Sequence, residues 1–185
     1  MERHKVEELI RSLLIEIGED PNREGLRGTP GRVAESWDFL TSGYRSDLNE
    51  IVRSSVFESD SSGMILCKNI EVYSLCEHHM LPFFGMCTIG YIPREKVIGI
   101  SKLARIVNHF SRRLQFQERL TSDIARTVMK LANADGVGVV INAKHMCMIM
   151  RGVEKQHSSM TTASVLGSFY SDSNTRAEFL TFAKD

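Results

Sequence analysis

Ser74-Leu75-Cys76-Glu77-His78-His79-Met80-Leu81-Pro82 is a polar, ligand-rich interruption between two runs, 64–74 and 84–92, whose apolar, β-branched and aromatic content reads as strand. The nine residues therefore read as the turn of a β-hairpin, and a loop held by two strands is a good place for chemistry. One thiol and two imidazoles fall within four residues, a concentration of soft ligands found nowhere else in the chain. Zinc takes thiolate sulfur and imidazole nitrogen together, and a Cys-x-x-His step at a turn can aim both at one ion. Spacing does not choose between His78 and His79. Alone, the motif reads more readily as a buried thiol beside surface histidines than as a metal site.

A second cluster, Lys144-His145-Met146-Cys147-Met148, offers another thiol and imidazole where a strand is expected to begin near Met146. In an extended chain residues two apart share a face, so His145 and Cys147 are expected to point the same way. The two clusters together supply three ligands. Two thiolates and one imidazole leave one tetrahedral position open, as in catalytic rather than structural zinc sites.

Outward from these clusters, the order of elements defines a fold class. Val6, Leu9, Ile10, Leu13, Leu14 and Ile17 make a helical stripe ended by Gly18, and Thr29-Pro30 opens a second helix carrying Val33, Trp37 and Leu40. Residues 44–63 are polar and Ser-rich and read as a connector. After the hairpin, Ser101 is expected to cap a helix reaching about Leu114. A second helix is expected over 117–132, with Leu120, Ile124, Val128 and Leu131 in register. Strands follow at 137–143 and about 158–169, and Asn174 is expected to cap a last helix. The result is an α+β chain: an N-terminal helical arm and connector over 1–63, then a body over 64–185 with a four-stranded antiparallel sheet in strand-strand-helix-helix-strand-strand order. Such a sheet has two open edges, which favours association of subunits through it.

Composition narrows the function classes. The 185 residues are 42% hydrophobic, enough for a core, and 23 basic residues balance 23 acidic ones. No global field therefore favours nucleic acid or an anionic membrane. No apolar run approaches membrane-spanning length. Four cysteines beside histidines, without a signal peptide, point to reduced thiols in a cytoplasm. Cys67 and Cys87 sit within strands and read as small buried hydrophobes; His4, His109 and His157 have no ligand neighbours at useful spacing.

Other groups carry chemical potential. Lys102 and Arg105 share a face in a helix's first turn, where cations oppose the dipole unless an anion joins them, and Arg151 can extend such a patch. Arg32, in the first turn of the second helix, reads on spacing alone as a solvated charge. Glu118 is a first-turn carboxylate favoured by the dipole, and it can also accept two donors at once, the pattern presented by guanine N1 and N2.

Cys76-Glu77-His78-His79, Val97-Ile98-Gly99-Ile100-Ser101-Lys102, Arg105-Ile106-Val107, Gln115-Phe116-Gln117-Glu118-Arg119-Leu120-Thr121, His145-Met146-Cys147 and Met150-Arg151-Gly152-Val153 together resemble type I GTP cyclohydrolase, in that family's order and spacing, from about Thr29 to the C-terminus. The resemblance implies the tunnelling fold and a homodecamer of two pentamers with active sites shared between subunits. It implies one zinc per subunit on Cys76, His79 and Cys147. His78 and His145 become acid or base groups, and Ser101 lies by the ribose. Glu118, with Gln117 nearby, anchors guanine, while Lys102, Arg105, Arg151 and more weakly Arg32 hold the triphosphate. The implied reaction opens the imidazole ring of GTP, releases formate and closes 7,8-dihydroneopterin triphosphate. Relatives commonly carry hydroxyl residues along the strand after Lys155 where this chain has Met160 and Ala163. The chain starts almost at its first helix, so the long N-terminal segment of feedback-controlled animal relatives is not expected. Two other readings compete: a deazaguanine nitrile reductase of the same fold, with Cys147 as nucleophile, and a non-enzymatic purine-binding protein with structural zinc.

Overall fold

The computed structural model describes residues 1–53 and 56–184 and divides into two compact units, 1–42 and 43–185. In the first, α1 (Arg3–Glu16) packs against α2 (Thr29–Leu40). Leu14, Pro30 and Ala34 are buried, whereas Leu9, Leu13 and Ile17 of the expected stripe are exposed. Gly18, at φ 89°, ends α1 as expected.

The second unit runs through α3 (Leu48–Val52), β1 (Val56–Glu58), β2 (Ile65–Cys76), β3 (Pro82–Ile92), β4 (Lys96–Ile98), α4 (Ile100–Ser111), β5 (Leu114–Gln115), α5 (Gln117–Ala132), β6 (Gly136–His145), α6 (Met146–Ile149), β7 (Met160–Gly167), α7 (Ser168–Ser171) and α8 (Ser173–Lys184). The main sheet has the order β5-β2-β3-β6-β7. Its four long strands pair antiparallel, and α4 and α5 lie between the two hairpins in sequence, the order expected of the tunnelling fold. β5 adds a two-residue parallel edge beside Leu75 and Cys76.

Alternation decides which sheet face the helices cover. Phe83, Cys87, Ile89 and Tyr91 of β3 and Val137, Val139, Ile141 and Ala143 of β6 point inward. They form one core with Leu103, Ile106 and Val107 of α4 and Leu120, Ile124, Ala125 and Val128 of α5. Spacings of three and four bring each helix's apolar residues onto one side. On the opposite face Phe179 of α8 is fully buried over Gly90 and Gly138, where a Cβ would lie 2.6 and 2.5 Å from its ring, and it meets Phe169 edge-on at 5.2 Å.

The connector carries short elements of its own, since α3 is capped by Asp47 and β1 pairs with β4. Three local expectations are corrected. Gly99, not Ser101, precedes α4, and the helix stops at Ser111. Met146 opens a helical turn rather than a strand, so His145 and Cys147 do not alternate along one extended segment. Asp172, rather than Asn174, receives the first N–H groups of the last helix.

A half-buried polar network ties the start of this unit to the end of α4. His109 Nε2 lies 2.7 Å from Arg113 Nη2; a guanidinium only donates, so Nε2 accepts and Nδ1 carries the proton toward Ser46 Oγ at 2.6 Å. Arg113 also donates to the Gly43 carbonyl at 2.8 Å. Burial first, then the Arg113 charge, lowers the His109 pKa, with Asp47 opposing.

Two outcomes are expected. Phe179→Ala should destabilise the chain by about 3–5 kcal/mol, read as a lower urea midpoint at unchanged slope. A histidine whose folded pKa lies below its unfolded value is kept neutral by the fold, so the unfolded chain takes the proton first. Stability should fall as pH drops below about 6.5 and through the folded pKa. His109→Gln should lose part of that dependence; an unchanged pH slope would exclude His109 as a contributor.

Candidate metal centre and active site

The turn between β2 and β3 is closed by its own main chain. Cys76 N–H donates to Leu81 O at 2.8 Å and Met80 N–H to Cys76 O at 2.8 Å, with Met80 in the left-handed region at φ 56°. This reversal brings His79 back over Cys76, with Nδ1 3.8 Å from Sγ. Cys147 enters from the first turn of α6, just after β6 ends at His145 opposite Phe83. One ligand atom from each of Cys76, His79 and Cys147 lies within 4.8 Å of the others. Donors about 2.3 and 2.1 Å from one tetrahedral ion are separated by roughly 3.6 Å, so the group fits a zinc-sized cation with little adjustment. Cys76 is buried, Cys147 half-buried and His79 exposed, which leaves one side of the cluster toward solvent. Burial first, then the Cys76 sulfur, pushes the Cys147 thiol up, and nearby Arg151 opposes that shift. Two sulfurs this close repel as thiolates, and a divalent cation between them removes the conflict.

Around the cluster the rings are fixed by aromatic contacts. His145 stacks on Phe83 at 4.6 Å with planes 6° apart, and its Nε2 lies 2.8 Å from Gln117 Oε1. Burial lowers the His145 pKa, while the Glu118 charge raises it. His78 does not join the three-ligand group; it meets Phe116 edge-on at 4.6 Å. Glu118 is exposed at the start of α5 and takes no hydrogen bond among the described residues. Ser101 and Lys102 occupy the first turn of α4 and Arg105 the second. Among the described residues their side chains meet no hydrogen-bond or ion-pair partner, leaving both cations open to an anion. Arg151 follows α6 and is exposed. Arg32 belongs to the first unit, where it donates to Gly25 O at 3.4 Å and Thr29 Oγ1 at 3.3 Å.

Several supporting residues were not singled out by spacing. Arg119 links Glu77 of the ligand turn to Gln115 Oε1, the latter at 2.8 Å, and Glu77 N–H donates to Gln115 O at 3.2 Å. No spacing rule joins Arg119 to Gln115, because Gln115 lies in β5 and only Arg119 is in α5. Phe83 was legible only as an inward strand residue. Cys67 and Cys87 stay outside the cluster, with Cys87 fully buried, in keeping with their reading as packing residues.

A family model described as GTP cyclohydrolase I matches residues 6–184. Among relatives named GTP cyclohydrolase 1, that of Leptospira biflexa is 57% identical over 175 residues, covering 95% of this chain and 96% of its own. That of Methylococcus capsulatus is 57% identical over 178 residues, covering 96% of each chain. The Coxiella burnetii protein is 54% identical over 175 residues, covering 95% of each. A solved structure, the apo form of the archaeosine synthase QueF-Like, aligns with a TM-score of 0.48 at 18% identity over 59% of this chain and 97% of that one.

The donor set makes a direct prediction. Cobalt(II) added to metal-free protein should give thiolate-to-metal charge-transfer bands for two sulfurs, and Cys147→Ala should weaken those bands. Its metal affinity should fall more than about 100-fold, beyond the ~10–100-fold typical of removing an outer partner. Unchanged bands in that variant would remove Cys147 from the metal.

Proposed function

The chain belongs to the GTP cyclohydrolase I family and is an enzyme of that class, and on that premise we propose that Cys76, His79 and Cys147 hold one zinc ion per subunit beside a guanine site read by Glu118. The family activity opens the imidazole ring of GTP hydrolytically, releases formate, and proceeds through ribose rearrangement and ring closure to 7,8-dihydroneopterin triphosphate. The match over residues 6–184 decides against both the nitrile reductase and the non-enzymatic reading. The observation that carries the zinc assignment is the donor chemistry, two sulfurs and one ring nitrogen with an exposed side.

When bound, zinc supplies the Lewis acidity that brings a water near ionisation at neutral pH. The chain's own groups divide the remaining work. Glu118 accepts from the guanine N1–H and 2-amino group, which orients the purine and discriminates against adenine. Lys102, Arg105 and Arg151 take the triphosphate, so the long substrate is held at both ends. His145 gives a proton to the ring nitrogen released when the imidazole opens, and His78 and Ser101 move protons during ribose opening and the Amadori-type rearrangement. Gln117 stands beside Glu118 at the same corner.

The homodecamer of two pentamers, with active sites shared between subunits, is part of this proposal, as is a cytoplasmic location. Support for association comes from the open edge of β7 and from exposed Tyr73, Phe84 and Met86 on the sheet and Leu9 and Leu13 on α1. A native mass of ten chains tests the assembly.

Incubation with GTP should yield formate and a fluorescent pterin, and a chelator should abolish both. Glu118→Ala should relax the preference for GTP over ATP by at least about tenfold, as expected from losing two hydrogen bonds to a charged acceptor. An unchanged preference would show that another group reads the base.

A further inference from the structure

The hydrogen-bond directions around Gln117 are fixed by the chemistry of its partners, and they extend to His145. Gln117 is 1% exposed, and its Nε2 lies 3.0 Å from Ile141 O and 2.9 Å from Met160 O. Carbonyl oxygens only accept, so the amino end of the amide must lie there; the flipped amide would press oxygen against oxygen in a buried place. The neighbouring hydroxyls are ordered as well. Thr121 Oγ1 gives its proton to Gln117 O at 2.7 Å and therefore accepts from Thr162 Oγ1 at 2.7 Å. Thr162 thus keeps lone pairs for the amide, 3.0 Å away.

The oxygen end of Gln117 consequently faces His145 Nε2 at 2.8 Å. An amide oxygen cannot donate, so Nε2 must carry the hydrogen. Stacking on Phe83, with planes 6° apart, holds the ring in the plane of this contact. We propose that Gln117 is a positioning residue that fixes the Nε2–H tautomer of His145, so that the proton exchanged with the reacting purine passes through Nδ1. The proposal rests on the reading of His145 as proton donor and deepens it. In the donating step the imidazolium breaks its Nδ1–H bond, the ring nitrogen of the opened purine gains the proton, and neutral imidazole with hydrogen on Nε2 remains. Both ends of the Gln117 amide are then committed to the protein, and its side chain leaves the guanine edge to Glu118.

Neutron diffraction from crystals of the zinc-loaded enzyme tests the assignment directly. The expected result is a deuteron on His145 Nε2 directed at Gln117 Oε1, with the amide deuterons aimed at Ile141 O and Met160 O. Deuterium on Nδ1 alone, or an amide turned the other way, overturns it. Kinetics separates positioning from base reading. Gln117→Met should lower kcat by at least about tenfold, as expected when a catalytic histidine loses its tautomer, with little change in KM or in preference for GTP over inosine triphosphate. Unchanged kcat, or a raised KM with relaxed preference, overturns the proposal. If Gln117→Met does not fold, the deuteron positions decide alone. Full turnover by His145→Ala would instead remove His145 as the proton donor, while the Nε2 deuteron would still stand or fall by diffraction.

Discussion

Strand register is the constraint on which the site depends. Leu75 pairs with Pro82 across the first hairpin and Phe83 pairs with His145 across the next ladder, so both ligand-bearing segments meet at the start of β3. Side chains alternate along strands, and a slip of one residue would turn His145 away from Phe83 and carry Cys147 off with it. The register is held by the inward row Phe83, Cys87, Ile89 and Tyr91, which has a hydrophobic partner only in this pairing. Gly85 lets the chains come close at the active end: a Cβ there would stand 1.9 Å from Asn142 O. The metal centre is thus a consequence of sheet packing that brings together residues some seventy positions apart in the sequence.

The beginning of α5 fastens that register to the ligand turn. Gln115 and Gln117 flank Phe116, and their buried amides reach opposite ways. Gln115 donates to Phe110 O at 2.9 Å and accepts from Arg119, which also holds Glu77; Gln117 spans β6 and β7. A buried amide deprived of a partner costs about 1–3 kcal/mol, so each glutamine specifies one arrangement rather than merely tolerating it. Glu118 lies between these anchors and is exposed, which leaves a carboxylate available to a ligand on a backbone that cannot shift easily. Rigidity beneath an accessible acceptor is what selective recognition of a flat base edge requires.

The sequence made the long elements legible for a physical reason. α5 spans the expected residues because Leu120, Ile124 and Val128 recur at helical spacing and all become buried, and β2, β3 and β6 follow their alternating apolar runs. Short elements escaped because three residues carry no period: β1 and β4 exist through their mutual pairing. The 146–149 segment is apolar enough for a strand. Yet the ladder of β6 with β3 ends at His145 and that with β7 begins at Ala143, so the next residues have no partner and coil into a turn. Spacing also could not separate His78 from His79. The left-handed Met80 and the closure of Cys76 onto Leu81 set that choice, and neither is written in the ligand motif itself.

The same reasoning shows why Met160 and Ala163 need not disturb the site. Met160 meets Gln117 through its carbonyl oxygen, a group every residue possesses, so the hydrogen bond is indifferent to the side chain placed there. The hydroxyl work on β7 is done by neighbours. Thr162 closes the ring with Thr121 and Gln117, and Thr161 accepts from Asn142 at 2.9 Å. Ala163 pairs with Val140 and is exposed, and it shares the Thr161 face of the strand, across the sheet from the inward-facing Thr162. Alternation therefore puts Ala163 on the strand face opposite Thr162, whose hydroxyl lies 3.0 Å from the amide. The polar order around His145 rests on Thr162 and on main-chain atoms, and neither the Met160 nor the Ala163 side chain takes part in it.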